Sequence, residues 1–271
     1  MSEEYQIVPA EARHFRHQVI GDAVLFNADC LSVLPTLGKV DAVVTDPPYG
    51  IAQKFGVQHK LDGVRRLQFD WDSSAVNETV FAALRIAADM APAIFTFCGT
   101  SQVSHIETLL SAAGLTVKPA VWIKACPPPA MPGNWWPSGF EYALYAYRSG
   151  AYFESDDTSR GNVFYSDTYR HGVRADEKVA HPTQKWLPLL RQIVEPMVAR
   201  GATAIDPFMG SGTTGVACAK LGRRFIGIEI DPGYFEIACR RVDDAYRQRD
   251  LFRDAPTTPA PVQTSLLGDV A

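Results

Sequence analysis

The amino-acid sequence predicts an α/β fold built on a doubly wound, mostly parallel sheet. The first observation is that apolar runs of strand length alternate with longer helical patterns from Asp22 to about Tyr246. The second is size and composition, since 271 residues of which 46% are hydrophobic can form one large core or two small ones. The third is that no internal repeat interrupts the alternation.

Seven apolar runs bounded by turn residues are predicted to be strands. They are residues 23–26, 41–45, 93–97, 117–123, 142–147, 202–205 and 224–228. Helical periodicity marks residues 77–90, 102–113, 186–198, 213–221 and 232–248. The last helix is the clearest, because Asp231 is a good N-cap and Pro232 suits the first helical position.

Two long stretches lack clear periodicity, residues 51–72 and residues 149–180. Stretches of this length inside a compact enzyme are typically functional loops or inserted elements. Beyond Arg249 the Pro- and Thr-rich sequence predicts a disordered tail over residues 250–271.

Composition narrows the function classes. No apolar stretch approaches the roughly 20 residues that span a bilayer, and the first residues lack the layout of a secretory signal. We therefore expect a cytoplasmic protein without membrane contact. The five cysteines are scattered, so neither a metal site nor a disulfide framework is predicted. A net charge of −4 argues against a protein that coats nucleic acid, whereas a site-specific enzyme needs only a local basic face.

A glycine-rich turn follows the strand that ends at Ile205. Gly210, Gly212 and Gly215 form a G-x-G-x-x-G pattern before a helix, and Glu229 ends the next strand. Such a turn brings the backbone close to a ligand, and the acid can accept hydrogen bonds from ribose hydroxyls. Adenosine is common to NAD and S-adenosylmethionine, so a dehydrogenase and a methyltransferase both remain open at this point.

A second motif, Asp46-Pro47-Pro48-Tyr49, ends the strand at residues 41–45. Two consecutive prolines stiffen the backbone and hold its carbonyls in fixed directions. A carboxylate and a carbonyl aimed at one point suit an exocyclic amino group, whose two N–H bonds they can accept. The tyrosine ring offers a surface on which a base can stack.

Together these motifs resemble the circularly permuted (β-class) DNA amino-methyltransferases, in which an Asp-Pro-Pro-Tyr motif precedes the cofactor segment. The likeness extends to Asn-Ala-Asp-Cys at 27–30, His-Pro-Thr-Gln-Lys at 181–185 and Gly-Ile-Glu at 227–229. It implies a seven-stranded mixed sheet in a single methyltransferase domain over residues 1–249. A target-recognition insertion is implied at about residues 127–180.

The resemblance also implies an S-adenosyl-L-methionine site. The implied cofactor-binding residues are Asp29, Cys30, Asp46, Thr183, Lys185, Asp206, Phe208, Gly210, Ser211, Gly212, Thr213 and Glu229. One departure is Trp186, which stands where relatives often have proline after the lysine.

For catalysis we expect methyl transfer to adenine N6 in double-stranded DNA. Asp46 and the Pro47 carbonyl would accept the two N–H bonds and aim the nitrogen lone pair at the methyl group. Pro48 would stiffen the loop, and Tyr49 would hold the base after extrusion from the duplex. Methylation at cytosine C5 needs a thiolate nucleophile, typically from a Pro-Cys dipeptide. The sequence contains Cys126 followed by proline, which is the reverse order, so this chemistry is not expected.

Several alternatives stay open from sequence alone. The same geometry serves cytosine N4, and it serves an exocyclic amine in RNA. If the protein were an NAD-dependent oxidoreductase, residues 46–49 would have no role. If it were a catalytically silent DNA-binding module, it would not need Asp46 and Tyr49, so their presence counts against that alternative.

Partner contacts are predicted from the irregular stretches and the C-terminal end. The candidate DNA-binding residues are Lys54, Lys60, Arg65, Arg66, Arg160, Arg170 and Arg174. A short recognition region favours a short target sequence or a second subunit, so a homodimer is one expectation. Residues 248–252 (Gln-Arg-Asp-Leu-Phe) resemble a bacterial sliding-clamp-binding pattern.

Overall fold

A computed structural model of the chain describes residues 8–50, 76–124, 138–154, 161–166 and 184–253, and only the backbone of residues 249–253. Within them, nine strands form one sheet in the order β1-β2-β9-β8-β3-β4-β6-β5-β7. The strands are β1 (Arg16–Ile20), β2 (Ala23–Asn27), β3 (Ala42–Thr45), β4 (Ala93–Cys98), β5 (Thr116–Ile123), β6 (Phe140–Tyr147), β7 (Val163–Tyr165), β8 (Thr203–Asp206) and β9 (Arg224–Glu229).

The centre of the sheet is parallel and its flanks are mixed. Strands β2, β9, β8, β3 and β4 run parallel to one another, whereas β1 is antiparallel to β2 and β6 is antiparallel to both β4 and β5. All four residues of β3 and all six of β4 are buried, as expected of parallel strands covered on both faces.

The predicted sheet of seven strands is wrong in number, because two edge strands extend it to nine. All seven predicted strands are present. Strand β1 pairs antiparallel with β2, and its sequence Arg-His-Gln-Val-Ile is half exposed and mostly polar, so it lacks an apolar run. Strand β7 has only three residues, too few to show an alternating pattern.

The helices cover both faces of the sheet. They are α1 (Cys30–Val33), α2 (Val76–Met90), α3 (Val103–Ala112), α4 (Leu187–Met197), α5 (Thr213–Leu221) and α6 (Pro232–Arg253). Buried residues of α4, α5 and α6 pack on one face, and those of α1, α2 and α3 pack on the other. The doubly wound arrangement predicted from the sequence is therefore confirmed.

The five longer helices match the predicted ones, with one difference at the C-terminal end. Helix α6 continues to Arg253, five residues beyond its predicted end at residue 248. Residues 254–271 lie outside the described part of the chain. None of the described helices is both long and apolar enough to cross a membrane.

Candidate active site

Three acidic residues lie at the carboxyl ends of parallel strands. Asp46 follows β3, Asp206 ends β8 and Glu229 ends β9. Because β3, β8 and β9 are adjacent and parallel, these ends meet at one edge of the sheet. The Thr45 hydroxyl donates to Asp206 Oδ1 (2.6 Å), which joins the loop after β3 directly to the loop after β8.

The loop of residues 46–49 is anchored from the start of helix α3. The side-chain amide of Gln102 donates to the Pro48 carbonyl (3.0 Å) and to Asn77 Oδ1 (2.8 Å). Its oxygen accepts the Gly99 N–H (2.9 Å), so both the nitrogen and the oxygen of this fully buried side-chain amide are hydrogen-bonded. The two prolines and the hydrogen bonds of Gln102 together fix the conformation of the loop backbone.

A cluster of charged side chains surrounds Asp46. The Lys185 ammonium lies 2.7 Å from Asp46 Oδ2 and 2.8 Å from Glu141 Oε2. Glu141 Oε1 pairs in turn with Lys124 Nζ (2.6 Å). The Tyr49 hydroxyl donates to Asp46 Oδ1 (2.8 Å), with Glu141 Oε2 (3.1 Å) as a second acceptor within reach, and it accepts from Lys185 Nζ (3.1 Å). We call Asp46, Tyr49, Lys124, Glu141 and Lys185 the ionic cluster.

Burial and neighbouring charges shift the pKa values of Asp46, Tyr49, Glu141 and Lys185. Burial opposes ionisation of Glu141, but Lys185 and Lys124 together lower its pKa to about 2. Burial would lower the pKa of Lys185, yet Asp46 and Glu141 raise it above its usual value. Burial raises the pKa of Tyr49 well above normal, and the two carboxylates add to this, so Tyr49 stays a neutral donor. Burial also raises the pKa of Asp46, with Lys185 opposing and Glu141 reinforcing the shift.

The glycine-rich turn after β8 is organised by Asp206, which is only 2% exposed. Its carboxylate accepts from Thr45, from the Phe208 N–H (3.1 Å) and from the Thr214 hydroxyl (2.8 Å). Burial raises its pKa to about 6 despite these bonds. The Asp206 carboxylate therefore faces inward and holds the turn, and its predicted contact with the cofactor stays a prediction.

Ser211 and Thr213, two further predicted cofactor contacts, also turn inward. Both are buried, and both accept hydrogen bonds from the Arg241 guanidinium on α6. Cys30, another predicted contact, is a buried thiol whose pKa is raised to about 12, mainly by burial. These side chains support the loops and do not line an open surface.

Two glycines of the turn are required for packing. Gly212 has a φ of 76°, and a Cβ there would lie 2.9 Å from the Cβ of Ala238 on α6. A Cβ on Gly215 would lie 2.7 Å from the Phe225 ring. The G-x-G-x-x-G spacing therefore brings α5 close to β9 and α6, as well as shaping the turn.

The half-exposed side of this edge suits an adenosine. Glu229 accepts the Gly210 N–H (2.9 Å) and the Asp231 N–H (2.8 Å), which leaves carboxylate lone pairs for ribose hydroxyls. Burial raises its pKa to about 7. Beside it Ile230 is 66% exposed and offers an apolar surface for a base. Asp29, Phe208 and Gly210 are also partly exposed here, so these residues fit S-adenosylmethionine.

The structure brings together only part of the predicted site. Lys185 was predicted as a cofactor contact, and its ammonium lies against Asp46. The candidate DNA-binding residues and Thr183 lie outside the described part of the chain. Among the described residues, no group of three or more His, Cys, Asp or Glu is arranged to hold a metal ion.

Four residues of the site belong to none of the sequence motifs. Gln102, Glu141 and Lys124 are far from Asp46 along the chain, and Asn77 supports Gln102 from α2. The one local signal is a charged residue, Glu141, at the start of an apolar strand.

Comparison with known proteins agrees with this geometry. A family model described as DNA methylase, for N6 and N4 methyltransferases, matches residues 40–240. Type II methyltransferase M2.DpnII from Streptococcus pneumoniae is 27% identical over 244 residues, which cover 81% of this chain and 89% of the relative. Type II methyltransferase M2.MboI from Moraxella bovis is 25% identical over 236 residues, covering 80% and 86%.

A solved structure of the M1.HpyAVI–SAM complex is similar to this chain, with a TM-score of 0.64 and 28% sequence identity. The likeness covers 81% of this chain and 98% of that one. The family match extends over most of the sequence and includes both strand-end loops. The chain belongs to the DNA methylase family of N6 and N4 amino-methyltransferases.

Proposed function

We propose that this protein transfers the methyl group of S-adenosylmethionine to N6 of adenine in DNA. The observation that carries the proposal is the position of Asp46 on a clasped loop, joined by the Thr45–Asp206 hydrogen bond (2.6 Å) to the turn beside Glu229. An amine acceptor and an adenosine site then share one edge of the sheet. The similarity to two Type II methyltransferases, and to a protein solved with SAM, supports the assignment.

The chemical problem is the poor nucleophilicity of adenine N6, whose lone pair is delocalised into the ring. Asp46 and the Pro47 carbonyl accept its two N–H bonds, favour a pyramidal nitrogen and orient the lone pair. The cofactor, when bound, supplies an electrophilic methyl group on a sulfonium. The protein contributes position and electrostatics, and no covalent intermediate is needed.

Tyr49 has two roles in this arrangement. Its ring provides a stacking surface for an extruded base. Its hydroxyl donates to Asp46 Oδ1 and thereby fixes the orientation of the accepting carboxylate. The sequence predicted the first role alone.

The alternatives differ in how they stand against the family match. An NAD-dependent oxidoreductase is excluded, because the match extends over both loops. Cytosine N4 and an exocyclic amine in RNA offer the same two N–H bonds as adenine N6. In the enzymes that this sequence resembles, a motif that begins with Asp is more often found with adenine as the target base. Asp46 at the first position of the motif therefore favours adenine.

Contacts with macromolecules remain proposals. We infer that double-stranded DNA approaches this edge through the basic residues of the two irregular stretches. A homodimer would supply additional recognition surface. Clamp binding through residues 248–252 would require Gln248 to leave helix α6 and its hydrogen bond from Lys220 Nζ (2.8 Å).

The proposal is tested by expressing the protein in a host that lacks adenine and cytosine amino-methylation, then sequencing its DNA with modified-base detection. We expect N6-methyladenine at one short sequence, and none in cells that express Asp46→Ala. Methylation confined to cytosine N4, or to RNA, would overturn the assignment.

A further inference from the structure

We propose that Glu141 is a positioning residue for methyl transfer, which shares the Lys185 ammonium so that Asp46 keeps its strength as a hydrogen-bond acceptor. The inference rests on the proposed function, because it assigns Asp46 to the target amine. Glu141 itself does not contact the reacting atoms in this account.

All three N–H donors of the Lys185 ammonium have an acceptor. An ammonium has three N–H donors, and the three oxygens around Lys185 Nζ are Asp46 Oδ2 (2.7 Å), Glu141 Oε2 (2.8 Å) and the Tyr49 hydroxyl (3.1 Å). The side chain is 9% exposed, so water does not screen these contacts well. One cation therefore divides its attraction between two carboxylates.

Besides Lys185 and the Tyr49 hydroxyl, which it shares with Asp46, Glu141 has contacts of its own. It faces Trp122 across the β5–β6 pair, and Lys124 on the chain just after β5 binds its other oxygen at 2.6 Å. Lys124 also lies over the Trp122 ring, 5.5 Å from the centroid. The sheet thus fixes the position of Glu141, and Glu141 in turn fixes Lys185.

The charge balance gives Glu141 its effect. Without the Glu141 carboxylate, the Lys185 ammonium would pair with Asp46 alone. It would then withdraw more electron density from the Asp46 carboxylate. Asp46 would then be a weaker acceptor for the amine N–H. Within the described ranges, the other groups that interact with Asp46 are Tyr49, the buried Cys98 thiol and Asp206, and none of these is a cation.

A purely stabilising ion pair is a poor alternative. Burying several charges costs desolvation that apolar side chains would avoid, so buried pairs are weak evidence for stability. Concentrations of perturbed ionisable groups are more typical of functional sites. This cluster lies at the catalytic loop and continues to the sheet through Lys124.

The test compares single-turnover methyl transfer by wild type and Glu141→Gln across pH, with saturating cofactor and DNA. Asp46 must be ionised to accept, so the rate falls in acid. We expect Glu141→Gln to lower the plateau rate by about tenfold, and to move the acid limb to lower pH. Cofactor affinity should stay unchanged.

Two further variants make the outcome decisive. Lys124→Met leaves Glu141 free to attract Lys185 more strongly, so the acid limb should move to higher pH, the opposite direction. Glu107→Gln removes an equal charge from the exposed face of α3 and should match wild type.

Shifts in the same direction for Glu141→Gln and Lys124→Met, or no shift in either, would overturn the proposal, as would a rate loss that follows cofactor affinity. If Glu141→Gln fails to fold, the direction in which Lys124→Met moves the acid limb of the pH–rate profile decides the outcome alone. The base that wild type methylates is identified first, so failure of the proposed function is recognised separately.

Discussion

The catalytic loop and the cofactor turn leave adjacent parallel strands, yet different interactions hold them. Residues 46–49 are fixed by prolines, by Gln102 and by the ionic cluster. The turn of residues 206–215 is fixed by neutral donors to Asp206 and by glycines packed against α6 and β9. One hydrogen bond, from Thr45 to Asp206, connects the two.

This difference predicts how each region responds to mutation. In the ionic cluster single charges act on the rate, because they set the electrostatics of an acceptor whose backbone is fixed elsewhere. In the glycine turn an added atom disturbs the packing of two helices, so folding stability and cofactor affinity should change together.

The largest effect is expected for Asp46→Ala. It removes the carboxylate that accepts from the target amine, so methyl transfer should fall by about 10³-fold, as for loss of a transition-state contact. The cofactor dissociation constant, measured by calorimetry, should change little. Rapid residual turnover at saturating DNA would contradict the role of Asp46.

Gly212→Ala should impair stability and cofactor binding together. The backbone is in the left-handed region, and the new Cβ meets Ala238, so we expect a loss of about 1–3 kcal/mol in the free energy of unfolding.

Gly114→Ala is the matched control for that change. Gly114 has a similar φ of 82°, but a Cβ there meets nothing within 4 Å. It should cost less stability and leave cofactor affinity intact. Equal losses in thermal unfolding and calorimetric titration for both variants would show that packing at the turn is unimportant.

The cofactor site should respond to pH through Glu229. Burial raises the pKa of this carboxyl to about 7, so it is protonated below that pH in the cofactor-free protein. Ionised Glu229 is the better acceptor for ribose hydroxyls, so affinity should fall by up to about tenfold per pH unit below pH 7. Glu229→Gln should bind more weakly at pH 8 and show a flatter profile. Parallel profiles for the two proteins would contradict the assignment.

The smallest effect concerns the Tyr49 hydroxyl. Tyr49→Phe keeps the ring but loses the hydrogen bond to Asp46 (2.8 Å), which we expect to slow transfer by about fivefold to tenfold. Tyr49→Ala should cost far more, because the stacking surface is also removed. Equal rates for the two variants would show that the ring does not stack on the base.

The sequence predicted those features that depend on local patterns. Seven strands and five helices follow from periodicity, and the two strand-end loops follow from short motifs at Asp46 and Gly210. The edge strands β1 and β7 were missed because one is polar and the other very short.

The residues that the sequence could not place are those set by tertiary contacts. Glu141 reaches Lys185 because β6 lies beside β4 in the sheet, and no spacing along the chain encodes this. Asp206, Ser211 and Thr213 are predicted from the motif as cofactor contacts, and the structure adds that their buried side chains support the loop. That supporting role depends on partners such as Thr45 and Arg241, which the motif itself does not contain.

The central claim is that Asp46 directs methyl transfer to adenine N6 while the neighbouring turn binds the cofactor. The most direct test is a single turnover with methyl-labelled S-adenosylmethionine and unmodified duplex DNA, followed by nucleoside mass spectrometry. We predict label in N6-methyladenine for wild type and none for Asp46→Ala at full cofactor occupancy. Label in N4-methylcytosine, or undiminished label with Asp46→Ala, would contradict the account.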